Sequence, residues 1–202
     1  MKVIVVGATG TLGSAITADL KKDHEIVEVG FSDGDVKVDI TDIESIKAMY
    51  QEIGEFDALV SATGAVHFGP LEDISQEQWQ LGLNNKLMGQ VNLVMEGAKH
   101  VNDGGSFTLT AGIISRDPIR YGTAATIVCN ALEGFAASAA LELPRGIRVN
   151  VVSPTILEES VELFGAAFAG SEPVPASVAA KAFRKSVDGA RSGQTFTVQG
   201  RT

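Results

Sequence analysis

Apolar positions along this chain follow two rhythms that take turns. Short unbroken apolar runs recur, and between them lie stretches with apolar residues three and four apart. Lys2 to Val6 is the first run, and it reads as a strand buried on both faces. Leu12, Ala15, Ile16, Asp19 and Leu20 then fall at helix spacing. Glu25 to Val29 reads as a second strand and Val36 to Val38 as a short third. Asp42 is placed to cap a helix reaching Ile53, with Ile43, Ile46, Met49, Tyr50 and Ile53 as its stripe. Asp57 to Ser61 is a fourth strand. A long helical stretch from about Ser75 to Lys99 carries Leu83, Leu87, Val91, Val94, Met95 and Ala98 on one side. Ser106 to Thr110 forms a fifth strand, entered through Asp103-Gly104-Gly105. A helix rich in small residues, Thr123 to Glu142, is stopped by Pro144. Ile147 to Val152 and Thr195 to Val198 complete the strands.

Strands that alternate with helices imply parallel crossovers. The expected fold is therefore α/β: a Rossmann-type doubly wound parallel sheet of about seven strands with helices on both faces. No internal repeat appears, and Gly170 to Pro175 is a loop too short to divide domains. One domain spanning residues 1–202 is expected.

The first strand ends in Gly7-Ala8-Thr9-Gly10-Thr11-Leu12-Gly13, and a helix follows at once. A strand, a glycine turn and a helix N-terminus suit a pyrophosphate, because bare backbone N–H groups and the helix dipole both favour the anion. Charge makes this turn more telling. The net charge of −9 disfavours nucleic acid or an anionic membrane as a general partner, so any bound anion must be captured locally. Cys129 is the sole cysteine, which excludes an intrachain disulfide and fits a reducing compartment. The first strand begins at residue 2, leaving no room for a signal peptide, and no apolar run approaches the roughly 18 residues of a membrane span. A cytoplasmic protein with a small-molecule substrate and no metal site is expected.

Across nearly all its length the chain resembles the short-chain dehydrogenase/reductase family. Gly7, Gly10 and Gly13 match the phosphate loop in the spacing GxxGxxG, where the commonest family spacing is GxxxGxG. Val38-Asp39-Ile40-Thr41-Asp42 is similar to the segment whose aspartate contacts adenine. Leu59 to Gly64 stands where the family has Asn-Asn-Ala-Gly beside the cofactor. Arg145 to Asn150, Val152-Ser153-Pro154 and Gly193 to Gly200 resemble its last two strands. The resemblance implies cofactor contacts from Gly7, Thr9, Gly10, Thr11, Leu12, Gly13, Asp39, Ile40, Ser61, Ala62, Thr63, Gly64 and Pro154.

The catalytic pattern departs from the family's. Hydride transfer to a carbonyl leaves an alkoxide-like oxygen that needs a proton. The family supplies it from a Tyr-x-x-x-Lys pair, with a serine holding the substrate oxygen and an asparagine on the preceding long helix. The resemblance places Ala125 at the tyrosine position, Cys129 at the lysine position, Thr110 at the serine and Lys86 at the asparagine, with Asn84 and Asn85 as another register. Two readings follow. In one, catalysis persists, with Thr110 holding the substrate oxygen, Tyr121 or His67 giving the proton and Lys86 giving positive charge from another helix. In the other, the chain is a non-catalytic NAD(P)-binding sensor or scaffold.

Cofactor choice turns on the end of the second strand, Gly30-Phe31-Ser32-Asp33. Neither a tip carboxylate for NAD nor an arginine for NADP is present there. Ser32 offers a hydroxyl to a 2′-phosphate while Asp33 opposes it, a balance that leans to NADP over NAD. Family members pair through two long helices, so a homodimer or homotetramer is expected, with Gly134 to Ala140 permitting close approach.

Overall fold

A computed structural model describes residues 1–200; the last two residues of the expected domain lie outside the described residues. Seven parallel strands form one sheet: β1 (Lys2–Val6), β2 (Glu25–Gly30), β3 (Val36–Lys37), β4 (Phe56–Ser61), β5 (Val101–Thr110), β6 (Arg148–Pro154) and β7 (Thr195–Val198). Their order is β3-β2-β1-β4-β5-β6-β7. The chain runs outward from β1 to β3, then returns to lay β4 on the other side of β1. Between the carboxyl ends of β1 and β4 the loops diverge and leave a crevice, the place where open sheets of this kind bind ligands.

Both sheet faces are covered, so alternate residues of one strand enter different cores. Ile4 and Val6 join Leu59, Phe107, Leu109 and Leu132 on one face. Val3 and Val5 join Ala58, Val60, Ile16, Leu20 and Phe183 on the other. This is why β1 reads as a continuous apolar run.

Helix α1 (Thr11–Leu20) follows the glycine turn, and α2 (Ile43–Ile53) starts at Asp42, whose side chain accepts the Glu44 N–H. The expected helix from Ser75 to Lys99 is three segments. A capping box at Ser75 and Gln78 opens α3 (Gln76–Leu81), a π-helical stretch runs from Gly82 to Gly89, and α4 (Gln90–Gly97) completes it. The two glycines that bound the π-helical stretch sit against other elements. A Cβ on Gly82 would lie 3.1 Å from Val128, and one on Gly89 would lie 2.7 Å from Ile40. Beyond β5, α5 (Thr123–Ala139) ends slightly before the expected Glu142. The segment after β6 forms short turns around α6 (Val161–Phe164).

The sequence reading missed α7 (Ala176–Asp188). Its buried positions Ala176, Ala179, Ala180, Phe183 and Val187 keep helix spacing, but alanines make a faint stripe. It packs beside α1, where Arg184 bridges Asp19 and Asp23, each at 2.8 Å. A buried group of Thr108, Ser186 and Asn150 fastens it to the sheet.

Candidate active site

The phosphate turn is mostly backbone. Gly7 has φ of +83°, and a Cβ there would lie 2.6 Å from the Ala62 carbonyl oxygen. Gly13 is tighter still, its hypothetical Cβ 1.9 Å from the Gly7 oxygen. Both are therefore required by the fold itself. Gly10 is different: it is exposed, its φ is −74°, and the nearest atom to an added Cβ is 3.4 Å away. Nothing inside the protein demands glycine at position 10, whereas an approaching phosphate would. Gly10 also caps α1 without a side-chain bond, no acidic residue lies in the first turn, and Thr9 and Thr11 are exposed beside it. The turn thus fits a pyrophosphate on this structure's own geometry.

A groove of about 460 Å³ continues from the turn along the ends of β1 and β2. Gly7, Gly30, Phe31, Asp39, Ile40, Thr41, Thr63, Gly64 and Asn85 are among its walls, so four of the expected contacts beyond the turn meet here. The Asp39 carboxylate accepts from the Thr41 backbone N–H (2.9 Å) and hydroxyl (2.6 Å). Those bonds hold its pKa below the usual carboxylate value. Two expectations are corrected. Ser61 is fully buried, so its hydroxyl cannot face the groove. Ser32 gives its hydroxyl to Asp33 (3.0 Å), and the neighbouring Phe31, 76% exposed, forms the wall instead. Ala62 is half-buried and spends its N–H on Val6, while Leu12 packs against the α1 core.

Past Gly64 the groove opens into a second cavity of about 370 Å³. Lys86, Gly112, Ala125, Cys129, Pro154 and Thr155 line it. Ala125 and Cys129, the positions where the resemblance puts the tyrosine and the lysine, thus both face the space that Lys86 enters from the π-helical stretch. Burial holds the Lys86 ammonium below its ordinary pKa, with the nearby Cys129 acting the other way, and burial pushes the Cys129 thiol up.

Thr110 does not line this cavity. Its hydroxyl donates to the Ser61 carbonyl at 2.5 Å and is 93% buried within the sheet end, so it ties β5 to β4 rather than holding a substrate. Tyr121 lies apart as well, in a neighbouring chamber of about 710 Å³ with Phe68, Ile119, Leu163, Phe164 and Phe168. Its backbone φ is 65°, uncommon outside glycine, and the Arg120 guanidinium lies 4.8 Å from its ring centre. His67 packs against Gly69 and lines none of these cavities.

Several positioning residues escaped the sequence reading. Asn85 accepts the Ala65 N–H at 2.7 Å, tying the π-helical stretch to the groove loop. Gln90 is fully buried and clamps both the N–H and the carbonyl of Thr110. Glu133 accepts from Ser115, Arg116 and Ser153, joining the loop after β5 to the end of β6. An isolated polar residue in a helical stripe was the available signal. Among the described residues no three His, Cys, Asp or Glu side chains gather as a metal site, and no helix is long and apolar enough to cross a membrane.

A family model described as "Enoyl-(Acyl carrier protein) reductase" matches residues 6–187. The chain belongs to the short-chain dehydrogenase/reductase family. An uncharacterized oxidoreductase of Methylorubrum extorquens is 27% identical over 84% of this chain and 77% of its own. The crystal structure of protein lin1944 from Listeria innocua superposes with a TM-score of 0.96 at 49% identity, covering 98% of this chain and 99% of that one. A small-chain dehydrogenase crystallised with NADPH gives a TM-score of 0.89 at 24% identity, over 98% of this chain and 96% of its own. The chain therefore carries the short-chain dehydrogenase/reductase fold of a nucleotide-dependent oxidoreductase family. Its groove, turn and cavity lie at the switch point where such a sheet receives a dinucleotide.

Proposed function

We propose that this chain is an NAD(P)-dependent oxidoreductase acting on a small carbonyl or alcohol, with an atypical catalytic set. The single observation that carries this reading is continuity: Gly64 lines both the groove that holds Asp39 and the cavity that holds Lys86. A dinucleotide laid along the groove with its pyrophosphate at Gly10 runs toward Lys86, Cys129 and Pro154. The cofactor would supply hydride; the chain would orient it and exclude water. Gly7 to Gly13 would hold the pyrophosphate, Asp39 and Phe31 the adenosine, and Gly64 and Pro154 the other end. The aromatic chamber beside the cavity, walled by Phe68, Phe164 and Phe168, suits an apolar substrate body.

The lean to NADP over NAD loses the hydroxyl it rested on, because Ser32 is committed to Asp33. Among the described residues no lysine or arginine is in the walls of the adenosine groove. Fluorescence titration with NADPH and NADH, followed by a carbonyl panel read by loss of cofactor absorbance, tests the proposal. Turnover of any panel member supports it. A second reading, a non-catalytic cofactor-binding sensor, is favoured by Ala125 and Cys129 in the cavity; tight binding without turnover would select it. Exposed Met88, Met95 and Ile127 on the long helices support self-association, which size-exclusion chromatography tests.

A further inference from the structure

We propose that Lys86 is itself the proton donor of this reaction, entering the cavity from the π-helical stretch in place of a tyrosine on α5. The inference rests on the oxidoreductase reading above and goes beyond it by naming the acid. Among the described residues two titratable side chains line the cavity, Lys86 and Cys129. Thr110 is spent on Ser61, and Tyr121 and His67 lie outside.

The scaffold around Lys86 holds it in place. Asn85 ties one end of its turn to Ala65, and Gln90 bonds the Lys86 carbonyl (3.0 Å) while clamping Thr110 at the other. The lysine stem lies across Gly64, where φ is +124° and an added Cβ would meet Lys86 Cγ at 2.6 Å. A π-helical stretch is rare and costs helix geometry, and such stretches concentrate at functional sites. Here its effect is to turn one ammonium inward.

No carboxylate stands among the described walls of the cavity to pair with that ammonium. Cys129 on α5 faces it; one turn further, the Glu133 carboxylate is held by Ser115, Arg116 and Ser153. Gly64 and Val66 from the loop after β4, Ala111 to Ile114 from the loop after β5, and Pro154 to Leu157 with Ser160 after β6 bring no ionisable group to the cavity wall. Burial lowers the Lys86 pKa, and a general acid works best with its pKa near the working pH. When hydride reaches the carbonyl carbon, the C–O π pair moves to oxygen. An N–H bond of Lys86 breaks as the O–H bond forms, and the neutral amine regains a proton from water in the open cavity. The net change is carbonyl plus reduced cofactor plus one proton, giving alcohol plus oxidised cofactor.

The test compares wild type with Lys86→Met, Lys86→Arg and Tyr121→Phe, using Lys99→Met on the exposed face of the chain as control. Turnover, its pH profile, NADPH affinity and Tm are all measured. The expected result is a kcat for Lys86→Met lowered by about 10²-fold or more, in the range lost with a positioned acid. Wild-type reduction should fall as pH rises through the lowered lysine pKa; that limb should vanish in Lys86→Met and move to higher pH in Lys86→Arg. NADPH affinity should stay within about threefold. The Tm of Lys86→Met should hold or rise, because a half-buried ammonium has been replaced by an apolar stem of similar length. A Lys86→Met rate within threefold of wild type overturns the proposal alone. So does loss of the alkaline limb in Tyr121→Phe, or a fall in Tm and cofactor affinity together in Lys86→Met. Absence of turnover by the wild type overturns the oxidoreductase reading and the proposal with it.

Discussion

The two ends of the groove are built from different materials. At the phosphate end the working part is backbone: Gly7 and Gly13 pack the turn against its own chain, and the exposed Gly10 leaves the start of α1 open to an anion. At the cavity end the working groups are side chains, and Lys86 reaches across from a different helix from the one bearing Ala125 and Cys129. A backbone site has few alternatives, since losing a glycine closes it. A side-chain site can be rebuilt whenever a neighbouring element can deliver an equivalent group to the same space. The comparison predicts that the phosphate end will be intolerant and legible, and the cavity end tolerant and easily misread.

The largest effect should come from Gly13→Val. The new Cβ would fall 1.9 Å from the Gly7 carbonyl oxygen, a backbone atom that cannot swing aside. Overpacking of this sort costs about 3 kcal/mol or more, so urea melts should show a lower midpoint and cofactor binding should be lost. Gly10→Ser separates binding from folding at the same turn. Serine is a good N-cap, so Tm should hold or rise. The side chain nevertheless occupies the space left for a phosphate, and cofactor Kd should rise by about thirtyfold, roughly 2 kcal/mol. A Gly10→Ser protein that binds as tightly as wild type would show that the open position serves no ligand.

Thr110→Val is the matching test on the other side. The Ser61 carbonyl oxygen would lose its hydroxyl donor inside the sheet end. Such a loss costs about 1–1.5 kcal/mol. Chemical melts should register it, while kcat on any substrate found stays within about twofold, because the hydroxyl never reaches the cavity. A large fall in kcat with unchanged stability would return Thr110 to the substrate.

This contrast also explains what the sequence disclosed. The alternation of strands and helices, the doubly wound class and the glycine turn were legible because they follow from periodicity and from residues with one physical use. β1 is apolar from Val3 to Val6 since each of those residues is nearly fully buried. Lys86 was legible as a candidate, but its approach to Cys129 depends on a π-helical turn that no apolar stripe encodes. Thr110 and Ser61 were misplaced for the same kind of reason. Both are small polar residues at strand ends, and only three-dimensional pairing reveals that one satisfies the other's carbonyl. Helix α7 went unseen because its buried face is largely alanine, although Ala176, Ala179, Ala180, Phe183 and Val187 carry the right spacing.

The smallest effect sharpens the comparison by testing how local the phosphate end is. Helix α1 presents its N-terminus to the turn, while Asp19 near its other end is held by Lys22 and by Arg184 of α7. Those bonds, Lys22's the larger, hold the Asp19 pKa below its ordinary value of 3.8. A carboxylate with a depressed pKa adds stability above its unfolded pKa, and that contribution fades as pH falls through the folded value. Arg184→Gln leaves the Lys22 contact in place, and the Arg184 side chain is 24% exposed, so solvent screens the pair. The cost at neutral pH should be about 0.5–1 kcal/mol. The gap in Tm between variant and wild type should narrow once the pH drops below the lowered Asp19 pKa. Cofactor affinity should stay within about twofold, because charge effects at a helix end decay within its terminal turn. If Arg184→Gln weakened the cofactor by tenfold or more, α1 would have to be transmitting strain along its length, and the phosphate end could no longer be treated as a backbone site complete in itself.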